Sequence, residues 1–203
     1  MKKNTFSALL LCINCLIGFS QVGIGTTAPT AELEIETTNT GIPALELNAQ
    51  SAPTGTVTGQ IALIGDRLYM YDATRSKWLS LETTALQYGK SGGTDDERLE
   101  FAGDLTNNGS GPRMPFDGTI VYLTIESSGG VSNKQFDLKI NGSDVGNSGT
   151  ASLDGRISLS GGSFNYTDYN IDFDAGDYVT IEARSNGGDV NNPVAVIWVK
   201  WRQ

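Results

Sequence analysis

From about residue 98 to its end, the chain consists of short stretches in which apolar and polar residues alternate. In one of them Phe136, Leu138 and Ile140 alternate with polar neighbours, which places the apolar side chains on one face of a strand. No segment keeps the helical period of about 3.6 residues. Turns rich in glycine and asparagine separate the stretches at a spacing typical of a β-sandwich. The pattern predicts an all-β chain with an antiparallel sandwich, its strands at residues 98–101, 119–126, 135–141, 156–159, 170–173, 178–184 and 194–200.

Two of these strands are apolar on both faces. The last strand places Val194, Val196 and Trp198 on one face and Ala195, Ile197, Val199 and Trp201 on the other. The strand at 119–126 places Ile120 and Tyr122 opposite Val121, Leu123 and Ile125. An exposed row of this kind forms an apolar patch that monomers rarely tolerate. We therefore assign Val194, Val196, Trp198 and Tyr122 to an interface between copies, and Ile197, Val199 and Trp201 to the core. The alternative is that a loop, or the segment at 60–81, covers the row within one chain.

Two segments precede the predicted sandwich, which we place at residues 88–203. Residues 21–58 contain short alternating pieces, each too small to bury a face alone, and are predicted to form an extended β stalk. Residues 59–87 are predicted to form a linking meander with strands at 60–64, 67–71 and 77–81, separated by polar turns.

The first twenty residues have the layout of a secretory signal peptide: two lysines, an apolar stretch and small residues before a cleavage point between Ser20 and Gln21. Both cysteines lie in this segment and the chain has no histidine, which excludes most zinc sites and histidine-based catalysis in the mature protein. Cleavage leaves 12 basic against 23 acidic residues, a formal charge of −11. A chain this acidic is a poor partner for nucleic acid or anionic membranes. We expect a secreted or cell-surface protein without membrane insertion.

Two stretches resemble known proteins. "VGIGTTAPTAELEI" resembles a segment of phage tail-fibre-like and bacterial surface proteins, which implies interwoven strands in a trimeric stalk. "PRMPFDGTIVYLTIES", "FDLKINGSDV", "DFDAGDYVTIEA" and "PVAVIWVKWR" follow one another in the order found in the jelly-roll heads of trimeric fibre proteins. Those heads include complement-type, tumour-necrosis-factor-like and bacterial collagen-like glycoprotein heads. The resemblance covers about residues 112–202 and implies a jelly roll whose last strand lies near a threefold axis. The chain departs from the collagen-like type in having no Gly-X-Y stalk.

Two groups of side chains are candidates for ligand binding. Asp172, Asp174 and Asp177 offer oxygen ligands that suit Ca²⁺, although the spacing differs from an EF-hand and a solvated acidic face is the simpler interpretation. Tyr166 and Tyr169 lie in a loop that could stack on a sugar, although tyrosines in β proteins commonly pack between strands. Nothing marks a catalytic carboxylate pair. We predict no catalytic residues and no cofactor other than this possible Ca²⁺.

These patterns favour a non-enzymatic, fibre-like structural or adhesive protein. We expect a homotrimer, with the C-terminal head as assembly module and as a binding module for a glycan or another surface ligand. The alternative is a monomeric carbohydrate-binding β-sandwich of a secreted degradative system.

Overall fold

A computed structural model describes residues 22–24, 26–28, 31–38, 40–103, 110–145, 156–160, 163–166, 169–184 and 188–203. The predicted signal peptide at residues 1–20 lies outside these ranges. The described residues form strands and turns without a helix, which confirms the all-β prediction.

The chain divides into two compact units, one ending at Asn48 and the other running from Ala49 to Gln203. In the first unit, β1 (Val22–Ile24) and β2 (Leu33–Ile35) pair in parallel. The second unit contains both the predicted meander and the predicted sandwich. The structure thus divides the chain differently from the sequence-based boundaries, one of which, between residues 87 and 88, falls inside a strand, Thr84–Gly89.

The predicted meander is present as a three-stranded antiparallel sheet of β3 (Ile61–Ile64), β4 (Arg67–Asp72) and β5 (Lys77–Ser80). The remaining strands follow in chain order: β6 (Thr84–Gly89), β7 (Gly93–Thr94), β8 (Glu97–Arg98), β9 (Glu100–Phe101), β10 (Gly118–Glu126), β11 (Gly129–Gly130), β12 (Asn133–Ile140), β13 (Ser143–Asp144), β14 (Arg156–Ser160), β15 (Ser163–Tyr166), β16 (Ile171–Phe173), β17 (Val179–Arg184), β18 (Val190–Asn191) and β19 (Val194–Trp201).

Two antiparallel sheets hold the main core between them. A six-stranded sheet has the order β15-β10-β19-β6-β9, with β16 also paired to β10. A five-stranded sheet has the order β13-β12-β17-β8, with β14 also paired to β12. Buried apolar side chains from both sheets form one cluster, with Phe136, Leu138 and Ile181 on one side and Leu123 and Ile197 on the other. This arrangement is a β-sandwich, as the alternation predicted.

The outer face of the five-stranded sheet carries charges rather than apolar groups. Asp137, expected to face solvent, is fully buried and lies 2.7 Å from the Nε atom of Arg184. On the same sheet, Lys139 donates to Glu182 across 2.8 Å. Removing one partner from such a buried pair leaves a charge without its counter-ion. A change in strand register would separate these pairs, so they favour the observed register.

Strand β10 contains a β-bulge that the sequence pattern did not reveal. Its register against β19 shifts between Ile120, which pairs with Val199, and Tyr122, which pairs with Trp198. The extra residue, Val121, brings Ile120 onto the same buried face as Leu123. The expectation that Ile120 and Tyr122 share a face is therefore wrong, because a bulge resets the two-residue alternation.

The meander is attached to the sandwich by specific hydrogen bonds. Arg75, in the turn after β4, donates through Nε to the Tyr169 carbonyl at 2.8 Å and through Nη2 to the Val121 carbonyl at 3.3 Å. The Ser80 hydroxyl accepts from the Trp201 backbone N–H at 3.0 Å. The meander is therefore part of the folded unit, in contact with the end of β19.

Candidate functional site

The solvent side of the six-stranded sheet carries the apolar row singled out from the sequence. In β19, Ala195, Ile197 and Val199 are completely buried, as predicted for the core side. The intervening side chains point outward: Val194 is 50% exposed, and Val196 and Trp198 are half-buried. The structure therefore gives the two faces of this strand the orientations that the sequence analysis assigned to them.

Neighbouring strands extend the row sideways. Tyr122 of β10 lies directly opposite Trp198, and Ala85 of β6 lies opposite Trp198 on its other side. Directly opposite positions on one sheet face bring side chains into contact range. Three of the four predicted interface residues come from β19, and Tyr122 joins them because of the bulge at Val121. We call Val194, Val196, Trp198 and Tyr122 the outer apolar row.

Polar residues flank the outer apolar row. Val196 lies between Thr124 of β10 and the exposed Gln87 of β6. Val194 lies opposite the exposed Glu126. The row is thus a narrow apolar strip with a polar border, which is the usual composition of a protein interface.

The meander covers one end of the row and forms a cavity there. This cavity, of about 230 Å³, is lined by Met70, Asp72, Arg75, Leu79, Val121, Tyr122 and Lys200. Tyr122 is thus partly covered within the chain, whereas Val194, Val196 and Trp198 are outside the cavity lining. The alternative of intramolecular cover therefore holds, among the described residues, for Tyr122 at the Lys200 end of the row.

The cavity is lined by two basic side chains, Arg75 and Lys200, and by one acidic side chain, Asp72. Asp72 accepts from Arg75 through both carboxylate oxygens, from the backbone N–H at 3.0 Å and from Nη1 at 2.7 Å. Burial alone would raise the pKa of Asp72, but these hydrogen bonds and the Arg75 charge lower it below its ordinary value. Burial lowers the pKa of Lys200; the nearby Asp72 carboxylate opposes this effect and Arg75 adds to it. Sequence analysis missed this group, because no local pattern places residues 70–79 beside Lys200.

The predicted calcium ligands are engaged by other side chains, and two of them share one cation: Arg202 lies 3.8 Å from Asp172 through Nε and 3.1 Å from Asp174 through Nη2. Asp172 accepts from Lys77 at 2.5 Å and from the Thr119 hydroxyl at 2.7 Å. Asp174 accepts from Arg202 at 3.1 Å, and Asp177 accepts from the Asn141 amide at 2.6 Å.

In the described part of the chain, no three acidic, histidine or cysteine side chains come together as a metal site. Calcium binding at these aspartates stays a prediction from the sequence.

The predicted sugar-binding tyrosines do not form a described surface pair. Tyr169 is only 5% exposed and belongs to the main core, so its ring is not presented to a ligand. The backbone of Tyr166 pairs with Leu123 in the six-stranded sheet, and its side chain is outside what the structure describes. For Tyr169, packing between strands prevails over the binding role.

A second cavity, of about 390 Å³, lies beside the turn that joins β3 and β4. Its lining includes Arg67, whose guanidinium carbon lies 3.7 Å from the centre of the Phe116 ring. Arg202, Asp66 and Asp117 also line it, so positive and negative groups are balanced. This mixture does not select one class of ligand.

No protein-family model, curated protein or solved structure matches this chain. The described residues include no helix of the length and apolarity needed to cross a membrane.

Proposed function

We propose that this chain is a secreted or cell-surface, non-enzymatic structural or adhesive protein that associates with copies of itself, as a homotrimer, through the outer apolar row. The observation that supports the proposal is the outward orientation of Val194, Val196 and Trp198 on the central strand of a sheet whose other face is already the core. A second copy of the same row is the partner that matches a narrow apolar strip with a polar border.

The size of the row makes association energetically reasonable. If each copy buries roughly 300 Å² of it, at about 25 cal/mol per Å², the hydrophobic gain is roughly 7 kcal/mol before the entropy of association is subtracted. That gain offsets part of the translational and rotational entropy lost on association. The negative net charge of each copy opposes association. A stable trimer therefore needs this contact at each of its subunit interfaces.

The N-terminal unit supports the same proposal independently. In its parallel pair, Val22, Ile24 and Leu33 are each at least half exposed. Parallel strands are almost always covered on both faces, and a two-stranded sheet is not stable alone. Strands supplied by other copies would cover these side chains, which agrees with the trimeric stalk implied by the resemblance of residues 22–35. The sandwich would then be the head that displays its loops in several copies, and avidity would strengthen weak binding to a surface ligand.

Size-exclusion chromatography with light scattering on the chain from residue 21 onward tests the proposal. We expect a trimer for the wild type and a lower mass for Trp198→Glu, because a carboxylate in the row would be desolvated on association. Ser158→Glu is the matched control, since it adds the same charge at an exposed position of the other sheet and should leave the trimer intact. Circular dichroism must show that both variants remain folded.

A monodisperse wild-type monomer would contradict the proposal. In that case the half-buried pair of Tyr122 and Trp198 would favour the monomeric carbohydrate-binding module instead, because adjacent aromatic rings on a sheet face can stack on sugar rings. Loss of glycan binding by Trp198→Ala in that monomer would then distinguish the two functions.

A further inference from the structure

The cavity at the Lys200 end of the outer apolar row is formed by two features of the fold. The β-bulge at Val121 places an extra residue of β10 on the outer side of the sheet. The attached meander brings Met70 and Leu79 over the same place. Bulges commonly occur where a strand has to redirect a side chain next to a site.

One cation in this cavity is not paired with an acid. Lys200 donates a hydrogen bond from Nζ to the Ser80 carbonyl at 3.0 Å, and among the described residues no carboxylate lies within ion-pairing distance of it. The Asp72 carboxylate is instead engaged by Arg75. An ammonium group has three N–H donors, so Lys200 retains donors for a further acceptor. A charge that is partly removed from water and unpaired is costly, and a ligand of opposite charge would relieve that cost.

We propose that this cavity, the Lys200 pocket, binds a small organic monocarboxylate, with its carboxylate on Lys200 and its apolar body against Met70, Leu79 and Tyr122. A single uncommitted cation favours one negative charge over a phosphate dianion, because Arg75 is already held by Asp72. The apolar part of the lining, which includes Met70, Leu79 and Tyr122, favours a ligand with an apolar body. This inference goes beyond the proposed function, since the pocket lies within one chain and needs no second copy.

Ligand-observed saturation-transfer NMR with benzoate as the probe tests the pocket, and benzyl alcohol is the neutral probe of similar shape. We expect benzoate to bind the wild type and to bind Lys200→Gln at least about tenfold more weakly, because a charge-assisted hydrogen bond is lost. Lys90→Gln is the matched control, since Lys90 is ion-paired with Glu97 at 2.7 Å and lines no part of the pocket. Benzyl alcohol should bind more weakly than benzoate. Raising the pH until Lys200 loses its proton should also release benzoate, which itself remains an anion.

Two further variants distinguish the possible failures. Met70→Phe should reduce benzoate binding by filling the cavity while leaving Lys200 charged, which keeps the test valid if Lys200→Gln fails to fold. Binding to a Val194→Glu variant, which carries its charge at the far end of the row from Lys200, but not to the wild type would support the pocket and would show that another copy covers it. The absence of benzoate binding at about 10 mM in both proteins, or equal binding by the wild type and a folded Lys200→Gln, would overturn the inference.

Discussion

Replacement of Arg75 by alanine would show whether the meander and the sandwich unfold as one unit. The Arg75 side chain donates to Asp72 within the meander and to the carbonyls of Tyr169 and Val121 in the sandwich. Alanine removes all three donors at once. Both carbonyls lose a charged donor, and Asp72 loses the counter-ion on which its lowered pKa depends.

The expected loss follows from the geometry. Hydrogen bonds to charged groups contribute about 1.5–3 kcal/mol each, and the 3.3 Å bond to Val121 belongs at or below the bottom of that range. Water reaches part of this site, because the side chains of Arg75 and Asp72 are 17% and 20% exposed. We therefore expect Arg75→Ala to lower the free energy of unfolding by about 3 kcal/mol. For a domain of this size, that change lowers the melting temperature by about 6–12 °C.

Urea denaturation followed by tryptophan fluorescence and by far-ultraviolet circular dichroism measures this change. If the two parts form one cooperative unit, both signals should shift together to lower urea. Arg113→Ala is the matched control: Arg113 also donates to a backbone carbonyl, that of Gly176 at 2.6 Å, but at an exposed site, so we expect a loss below about 0.5 kcal/mol. An equally small loss for Arg75→Ala would refute the reasoning. It would mean that the Arg75 contacts do not couple the meander to the sandwich.

Two further predictions concern a close approach in the core and the response to acid. A Cβ atom at Gly118 would lie 2.3 Å from the Phe173 ring, so Gly118→Ala should destabilise the protein by about 1–3 kcal/mol, measured by thermal denaturation. The Arg75 contacts hold the folded-state pKa of Asp72 below its ordinary value of 3.8. The resulting stability is present above pH 3.8 and is lost as the pH falls through the lower folded-state pKa, so wild type should lose more urea resistance between pH 7 and pH 2 than Asp72→Asn.

Each of these predictions has a control. Gly89→Ala introduces a Cβ atom in the same sheet whose nearest neighbour, the Pro193 carbonyl oxygen, is 3.5 Å away, so it should be nearly neutral. A similar loss for Gly89→Ala and Gly118→Ala would show that the close approach to Phe173 is not the cause. For the acid response, identical losses in wild type and Asp72→Asn would remove Asp72 from the explanation.

The alternation of residues predicted the fold class because most strands obey it without interruption. Val179, Ile181 and Ala183 are all completely buried, as their spacing indicated. In β10 the prediction failed between Ile120 and Tyr122, because a bulge adds one residue without leaving a mark in composition. Thr84–Gly89 was missed as a strand of the sandwich, because Ala85 and Gly89 beside the buried Leu86 and Tyr88 leave only Gln87 to mark a polar face.

Sequence analysis could predict only the part of the candidate site that lies within one strand, β19. The outward orientation of Val194, Val196 and Trp198 follows from alternation within β19 alone. The Lys200 pocket depends on the packing of a distant meander against that strand. The neighbours of Arg75 in the sequence do not indicate that it will donate to two backbone carbonyls of the sandwich, those of Tyr169 and Val121. Tyr169 was assigned to a binding loop for the same reason, because only the folded core shows that its ring is enclosed.

The position of β19 determines when the sandwich can fold. It is the last described strand in the chain, yet it lies between β6 and β10, with Thr84 paired to Val199 and Gly118 paired to Trp201. Until residues 194–201 are available, β6 and β10 have no shared neighbour, and Ile120 and Leu86 lack the β19 residues Val199 and Ile197 that lie opposite them. A chain that emerges N-terminus first from a ribosome therefore cannot complete its core early. Its folding depends on long-range pairing, which makes it slow.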